Sequence, residues 1–313
     1  MDLLVIMDPL EHADPDGDTS IGLMAAALER GHRVRHCTAG DLSLDESRVR
    51  ADTRIVVGGD GVRFDDGCPK RIDLADIDAI LVRTDPPVDT DYLNMTLLLE
   101  FARGQTLIVN DPRALREANE KLYACRFPDL MPATLVTADQ AALCAFAAEH
   151  GAAVLKPLDG HGGDGVCLLK PGDPDGPALV TERTAGGTRP VMAQRFLPEV
   201  YDGDRRILLL DGVPLGVLRR MPAPGEFRAN IGLGAVADVV DLDDSDRRII
   251  DALAPALRAD GLWFVGIDVI GGHLSEVNVT SPTGLRQLAR LSGARPDLAV
   301  IDWVEERAAS LGE

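Results

Sequence analysis

The stretch Val265–Thr283, VGIDVIGGHLSEVNVTSPT, restricts the fold of this chain more than any other. Two short β-forming runs flank Gly271-Gly272, the signal of a hairpin. A three-residue loop, Gly271-Gly272-His273, places Asp268 opposite Glu276 and Gly266 opposite Asn278. Alternation along a strand then gathers Asp268, Glu276 and Asn278 on one face. The other face reads Val265, Ile267, Val269, Ser275, Val277 and Val279, apolar except for one serine. A two-residue loop would put the two carboxylates on opposite faces and mix polar with apolar, so the three-residue loop is expected. Facing carboxylates repel unless a cation lies between them. Two carboxylates and an amide oxygen are hard ligands suited to Mg²⁺. A half-exposed hairpin with a solvated acidic face is the alternative for this stretch alone.

At 313 residues the chain is long enough for two or three subdomains. Leu3–Met7 is an apolar run closed by Asp8-Pro9, followed by a helical pattern from Ser20 to Arg30 and a strand at Arg33–His36. Ile77–Arg83 is a further apolar run, Thr90–Arg103 a helix, Thr106–Val109 a strand, and Pro112 opens a helix through about Lys121. This alternation predicts a parallel α/β domain over residues 1–118, with Asp8, Arg83 and Asn110 at the ligand-facing strand ends.

The pattern then changes. Thr134–Val136 reads as a strand, Asp139–His150 as a helix, and Ala152–Pro157 as a strand carrying Lys156. LDGHGGDGV follows, and Gly160, Gly162, Gly163 and Gly165 form a loop whose amides can approach phosphate oxygens. The order of a P-loop is absent, and no helix follows as a dinucleotide fingerprint requires. The plain alternative is a glycine-rich turn beside a snorkelling lysine. Pro190–Leu197 is a strand containing Gln194, and Ile207–Leu210 and Val213–Arg220 form a hairpin about Asp211-Gly212. Arg206 and Arg220 are candidate clamps for phosphate or carboxylate, surface arginines being the alternative. Met221–Asp238, with Arg228 and Asn230, reads as an irregular lid. Ser245–Asp260 is a helix, and Pro282 starts another through about Leu291.

Composition narrows the function. A net charge of −19 argues against nucleic-acid and anionic-membrane partners. No run of eighteen apolar residues occurs, and the five scattered cysteines fit reduced thiols in the cytoplasm. Only four of the 32 basic residues are lysines, so Lys121 and Lys156 mark places where a compact charge serves better than a planar fork.

NEKL at Asn119, LKPLDGHGG at Leu155, QRFLP at Gln194, DGDRR at Asp202 and GIDVIGGHLSEVNVTSPT at Gly266 stand in the order and spacing of an ATP-grasp ligase. With VIMDP at Val5, GDL at Gly40, RTDPP at Arg83 and LIVNDP at Leu107, nearly the whole chain resembles the bacterial glutathione synthetases. The resemblance implies an ATP-grasp fold of class α/β, α+β in parts. Its units would be an N-terminal parallel α/β domain (1–118), a central subdomain with the glycine loop (119–198) and a C-terminal subdomain with metal site and lid (199–313). It implies that Lys121 and Lys156 contact ATP phosphates, that Gly160, Gly162 and Gly163 form the phosphate loop, that Gln194, Arg195, Phe196 and Leu197 hold adenine, and that Asp204 meets the ribose. Arg206, Arg220, Arg228 and Asn230 would serve the phosphoryl group and lid. Asp268, Glu276 and Asn278 would hold two Mg²⁺, with Mn²⁺ as a substitute, and Arg83, Asp85, Ser281 and Thr283 would bind the peptide.

The implied reaction is amide formation from a carboxylate, an amine and ATP through an acyl phosphate. The substrates would be γ-glutamylcysteine and glycine, or another pair in a related ligase. A cytoplasmic homo-oligomer without nucleic-acid or membrane partner is expected. No acid–base residue is evident, and His161 reads as a loop residue. Three sites depart from the family pattern, and all are expected beside the substrates: Thr84, Ala235 with Val236, and Gly284-Leu285. Retained lysines and metal ligands argue against a regulatory nucleotide binder without activity, and the lack of an early GxGxxG against a nicotinamide enzyme.

Overall fold

The computed structural model of the chain describes residues 1–59 and 61–311, so the expected end of the third unit at 313 lies outside the described residues. The chain opens with β1 (Asp2–Ile6), α1 (Thr19–Glu29) and β2 (Arg33–Cys37). Asp18 caps α1 by accepting from the Ser20 amide, and Gly31, at φ 78°, follows its end. An excursion follows: β3 (Leu42–Asp45), β4 (Arg48–Val57), β5 (Arg63–Phe64) and β6 (Lys70–Asp73). Then come β7 (Ala79–Val82), α2 (Thr90–Leu99), β8 (Leu107–Val109) and α3 (Pro112–Glu117). The sheet order is β3-β4-β2-β1-β7-β8, with β5 and β6 also paired to β4. β1, β2, β7 and β8 are parallel, whereas β4 runs antiparallel to β2 and to β3, β5 and β6. The domain is therefore a parallel core with an antiparallel flap, which corrects the purely parallel expectation.

The helix expected through Lys121 is broken. Ala118 is extended and Asn119 caps a separate α4 (Glu120–Ala124), accepting from the amides of Lys121 and Leu122. The central unit comprises β9 (Thr134–Thr137), α5 (Gln140–His150), β10 (Ala153–Pro157), β11 (Cys167–Leu169), α6 (Gly176–Arg183) and β12 (Val191–Arg195). Its antiparallel sheet, β11-β10-β12-β9, has a core of its own, with Leu143, Leu155, Leu169, Val180 and Val191 at its centre.

The third unit comprises β13 (Asp204–Leu210), β14 (Val213–Met221), β15 (Val236–Val240), α7 (Asp244–Asp260), β16 (Phe264–Ile270), β17 (His273–Asn278), α8 (Leu285–Ser292) and α9 (Pro296–Leu311). Its antiparallel sheet runs β15-β14-β13-β16-β17. Two expectations change here. The tail of the irregular lid is a strand, β15, on the edge of β14. The last helix pair begins at Leu285 and not at Pro282, with Gly284 at φ 115° ahead of it. α8 and α9 return to α1, so that Leu208, Leu218 and Phe264 share one core with Leu3, Val5 and Met24.

Asn110, expected at the ligand edge, is structural. Its amide donates to the carbonyls of Phe264 (2.9 Å) and Val279 (2.7 Å), and its oxygen accepts from the Phe264 amide (2.8 Å). It thus pins both feet of the β16–β17 hairpin to the end of β8. Asn110→Ala would leave three buried backbone groups unpaired at about 1–3 kcal/mol each. A fall in stability of about 3 kcal/mol or more in urea unfolding is expected, and an unchanged midpoint would refute the pin. Among the described residues no helix is long and apolar enough to cross a membrane.

Candidate active site

The hairpin keeps the expected register by another route. Asp268 faces Glu276 and Gly266 faces Asn278, but Ile270 pairs with His273 around a two-residue Gly271-Gly272 turn. Both glycines have positive φ, 54° and 74°, as the tight hairpin turn demands. The extra residue is a β-bulge at Ser275, between the Asp268–Glu276 and Val269–Leu274 pairs. Ser275 is therefore not part of the apolar face. Its hydroxyl accepts from Lys156 Nζ at 2.8 Å, one case of a bulge re-aiming a side chain at a site.

A dense charge network covers the polar face. Arg206 binds Asp268 with both arms, Nε to Oδ1 at 2.5 Å and Nη2 to Oδ2 at 2.9 Å. Arg220 Nη2 bridges Asp204 Oδ2 (2.6 Å) and Asp268 Oδ1 (3.1 Å). Burial opposes the ionisation of Asp268, but Arg206 and Arg220 outweigh it and hold the carboxyl well below its usual range. Burial pushes Asp204 up to about 6, against the pull of Arg220. Lys121, 4% exposed, donates to the Gly160 carbonyl at 2.6 Å and to Glu276 at 3.2 Å. The broken helix explains that reach, since α4 lies against β17. Burial holds the Lys156 ammonium below its ordinary range, with Glu276 pulling the other way. Glu120, which sequence reasoning passed over, accepts from the Val279 and Thr280 amides and the Thr280 hydroxyl, tying α4 to the end of the hairpin.

These groups line a cavity of about 340 Å³ between the central and C-terminal sheets. Gly160, Gly162 and Gly163 lie at one wall and the lid residues Arg228 and Asn230 close over them. Arg228 Nη1 donates to the Gly163 carbonyl at 3.2 Å. A Cβ on Gly163 would lie 2.5 Å from Asn230 Oδ1, and its φ of 82° also favours glycine. Gln194, Arg195, Phe196 and Leu197 form the far end. The amides of Arg195 and Phe196 donate to Ala133 and Ala152, which leaves the Leu197 N–H as the donor of that hinge. Phe227 from the lid meets Phe196 edge to face, with centroids 6.3 Å apart, and Ile270 adds apolar floor. No local signal marked these last two residues.

Asp85, Ser281 and Thr283 line the same cavity, while Arg83 lines an adjoining one that shares those three residues. Of the three departures, Gly284 lines this cavity. The Thr84 hydroxyl turns to Met95 Sδ (3.5 Å), Val236 is 71% exposed at the start of β15, and Leu285 is buried in the core.

The oxygen set fits a hard divalent ion. Among the described residues no three His, Cys, Asp or Glu side chains gather as a metal group, so the candidates are two carboxylates and one amide. Asn278 spends its Nδ2 on Gly266 O (3.2 Å) and Asp268 Oδ2 (3.4 Å), which leaves Oδ1 as a free acceptor. Among the described residues Glu276 takes only the bond from Lys121. Asp268 has two donors on each oxygen, so an ion would reach it by displacing one of them.

The family profile described as prokaryotic glutathione synthetase, N-terminal domain, matches residues 1–116, and that of its ATP-grasp domain matches residues 120–293. The chain belongs to the prokaryotic glutathione synthetase family. The glutathione synthetase of Synechocystis sp. is 43% identical over 322 residues, covering 98% of this chain and 100% of the relative. That of Parasynechococcus marenigrum is 48% identical over 289 residues, covering 92% and 94%, and that of Vibrio parahaemolyticus is 39% identical, covering 97% of each chain. In structure the family's ATP-grasp fold extends further. D-cycloserine synthetase DcsG superposes with a TM-score of 0.67 at 16% identity, covering 99% of both chains. The ATP-grasp ligase PsnB with its minimal precursor superposes at 0.63 and 19% identity, covering 97% of this chain and 99% of that one.

Proposed function

We infer that this chain is a glutathione synthase. It is an ATP-dependent carbon–nitrogen ligase that joins γ-glutamylcysteine to glycine and releases ADP and phosphate. The observation that carries this is the end-to-end likeness to enzymes of that name at 39–48% identity. The cysteinyl carboxylate takes the γ-phosphoryl group of ATP, and the glycine amine then attacks the acyl carbon as phosphate leaves.

The residue roles form the further proposal. Lys121, Lys156 and the loop Gly160, Gly162 and Gly163 hold the polyphosphate, as their convergence on one cavity supports. The backbone of Gln194–Leu197 takes the adenine and Asp204 the ribose. Arg206 and Arg220 meet the charge that develops on the transferred group. Arg228 and Asn230, already against the glycine loop, keep water from the acyl phosphate. Arg83, Asp85, Ser281 and Thr283 position the peptide. Asp268, Glu276 and Asn278 hold divalent metal, two Mg²⁺ or, in their place, Mn²⁺. The cavity is lined by six cations (Lys121, Lys156, Arg195, Arg206, Arg220, Arg228) and six carboxylates (Asp85, Glu120, Asp164, Asp204, Asp268, Glu276), so a polyphosphate needs added positive charge. When bound, the metal neutralises and orients phosphate oxygens.

The division at 118 and 198 belongs to the same proposal, as does a cytoplasmic homo-oligomer with small-molecule substrates and no nucleic-acid or membrane partner. An apolar ridge on α2 and the turn after it, Leu93, Leu97 and Phe101, 37–50% exposed, supports self-association.

The test supplies ATP, Mg²⁺, γ-glutamylcysteine and a panel of amines, and follows ADP and amide product together. Glutathione formed with one ADP per turnover is expected. Amide product with another amine but none with glycine would move the chain to a related ATP-grasp peptide ligase.

A further inference from the structure

One turn of the lid touches both ends of the main cavity. The Glu226 amide donates to the Ala223 carbonyl at 2.9 Å. Glu226 Oε1 accepts from the amides of Phe227 (2.9 Å) and Arg228 (3.1 Å), and its Oε2 accepts from Arg228 Nη2 (2.6 Å). Three bonds to one carboxylate hold residues 226–228 as a unit, so Phe227 and Arg228 move together.

Arg228 serves the phosphate end. Its Nη1 reaches the Gly163 carbonyl at 3.2 Å, among the described residues the one hydrogen bond from residues 222–235 to another part of the chain. Its Nε is buried without a partner. Phe227 serves the other end. Its ring meets that of Phe196 in the hinge edge to face at 6.3 Å, and Phe196 also meets Tyr201 at 6.2 Å. Val154, opposite Gln194 in the central sheet, joins Leu197 and Ile270 in the apolar lining there. Elsewhere the lid is loosely held, with Ile231 and Leu233 each 38% exposed. A bound ligand shifts such a segment only by what it gains in one position over the other. A planar base in the slot gains the Phe227 ring only when the lid is down.

We propose that Phe227 is a specificity-determining residue that makes closure of the lid depend on the base of the nucleotide. The base packs on Phe227, and the Glu226 turn brings Arg228 onto the glycine loop in the same movement. The inference rests on the reaction read above and on its adenine slot. It gives the base, which takes no part in the chemistry, a share in the rate, because its binding energy goes into closure. A triphosphate without a base leaves the acyl phosphate open to water. Water then releases phosphate and restores the peptide carboxylate, so one triphosphate is hydrolysed and no amide forms.

The experiment supplies γ-glutamylcysteine, glycine and Mg²⁺ with either ATP or ribose 5-triphosphate, which lacks the base, and follows phosphate and amide together. With ATP the parent should release one phosphate per amide. With ribose triphosphate kcat should fall on the order of ten- to a hundredfold, the worth of one buried phenyl contact, and phosphate should exceed amide. Phe227→Ala should show both defects with ATP and little further loss with ribose triphosphate. Phe227→Leu, which keeps the apolar bulk, should recover most of the rate. A Phe227→Ala defect of equal size with both triphosphates overturns the proposal. So does a rise in KM for ATP with kcat and the phosphate-to-amide ratio unchanged. If no amide forms with glycine, the reaction read above falls, and hydrogen exchange decides the lid on its own. At saturation, the amides of residues 227–234 should exchange more slowly with ATP than with ribose triphosphate in the parent, but not in Phe227→Ala. Equal protection of the parent by both triphosphates overturns the proposal.

Discussion

Glu276→Gln is expected to lower kcat by a factor on the order of a thousand, the loss typical when a group stabilising transition-state charge is removed. The substitution keeps the shape of the side chain and its place opposite Asp268 in the β16–β17 ladder. It removes one of the two carboxylates proposed for the metal and the counter-charge of Lys121, 3.2 Å away. The fold should survive, since the apolar face of the hairpin, Ile267, Val277 and Val279, is fully buried and untouched. Binding of Mn²⁺, followed by its paramagnetic signal, should weaken in parallel with activity. Full Mg²⁺-dependent turnover in this variant would remove Glu276 from the metal set.

Lys156→Arg is expected to cost at least a hundredfold in kcat/KM for ATP. The ammonium is tethered to the Ser275 hydroxyl at 2.8 Å and to the Ser275 carbonyl at 3.4 Å, which leaves one N–H for a phosphate oxygen. An arginine fork is wider, and its donors point along fixed directions that this short tether does not match. Ser275→Ala should cost less, roughly tenfold, because the charge stays and only its aim is lost. Lys170→Arg, on an exposed lysine, should change nothing and serves as the control. Near-parental ATP kinetics in Lys156→Arg would return Lys156 to the class of ordinary surface lysines.

How far the fold was legible depended on the kind of signal each segment carried. The faces of the metal hairpin were readable because two carboxylates and an amide share a parity that a buried apolar face enforces. The turn was not readable, because a two-residue turn with a bulge produces the same parity as a three-residue turn. The parallel strands β1, β7 and β8 stood out as short apolar runs. The flap strand β4 carried a usable signal that was passed over. RVRADTRIVV alternates, with Val49, Ala51 and Thr53 buried between charged neighbours. β15 gave little warning, since an exposed edge strand such as VADVV lacks a buried face. Asn110 was misplaced because a strand-end asparagine looks the same whether it serves a ligand or a backbone, and only tertiary packing separates the two. Arg206, Arg220 and the two lysines were visible as residues, but their common meeting point depends on two sheets that local patterns cannot orient.

The bulge at Ser275 gives this segment a residue that its pairing does not need. A slip of one position along the ladder would turn Glu276 and Asn278 away from the cavity and push Val277 into it. Deleting Ser275 alone, however, would leave Asp268 opposite Glu276 in a regular hairpin and would remove the tether on Lys156. A library of single deletions across Val269–Ser275, selected for activity, should therefore return the loss of Ser275 as a weakened survivor and almost never the loss of Val269 or Leu274, which are paired and buried.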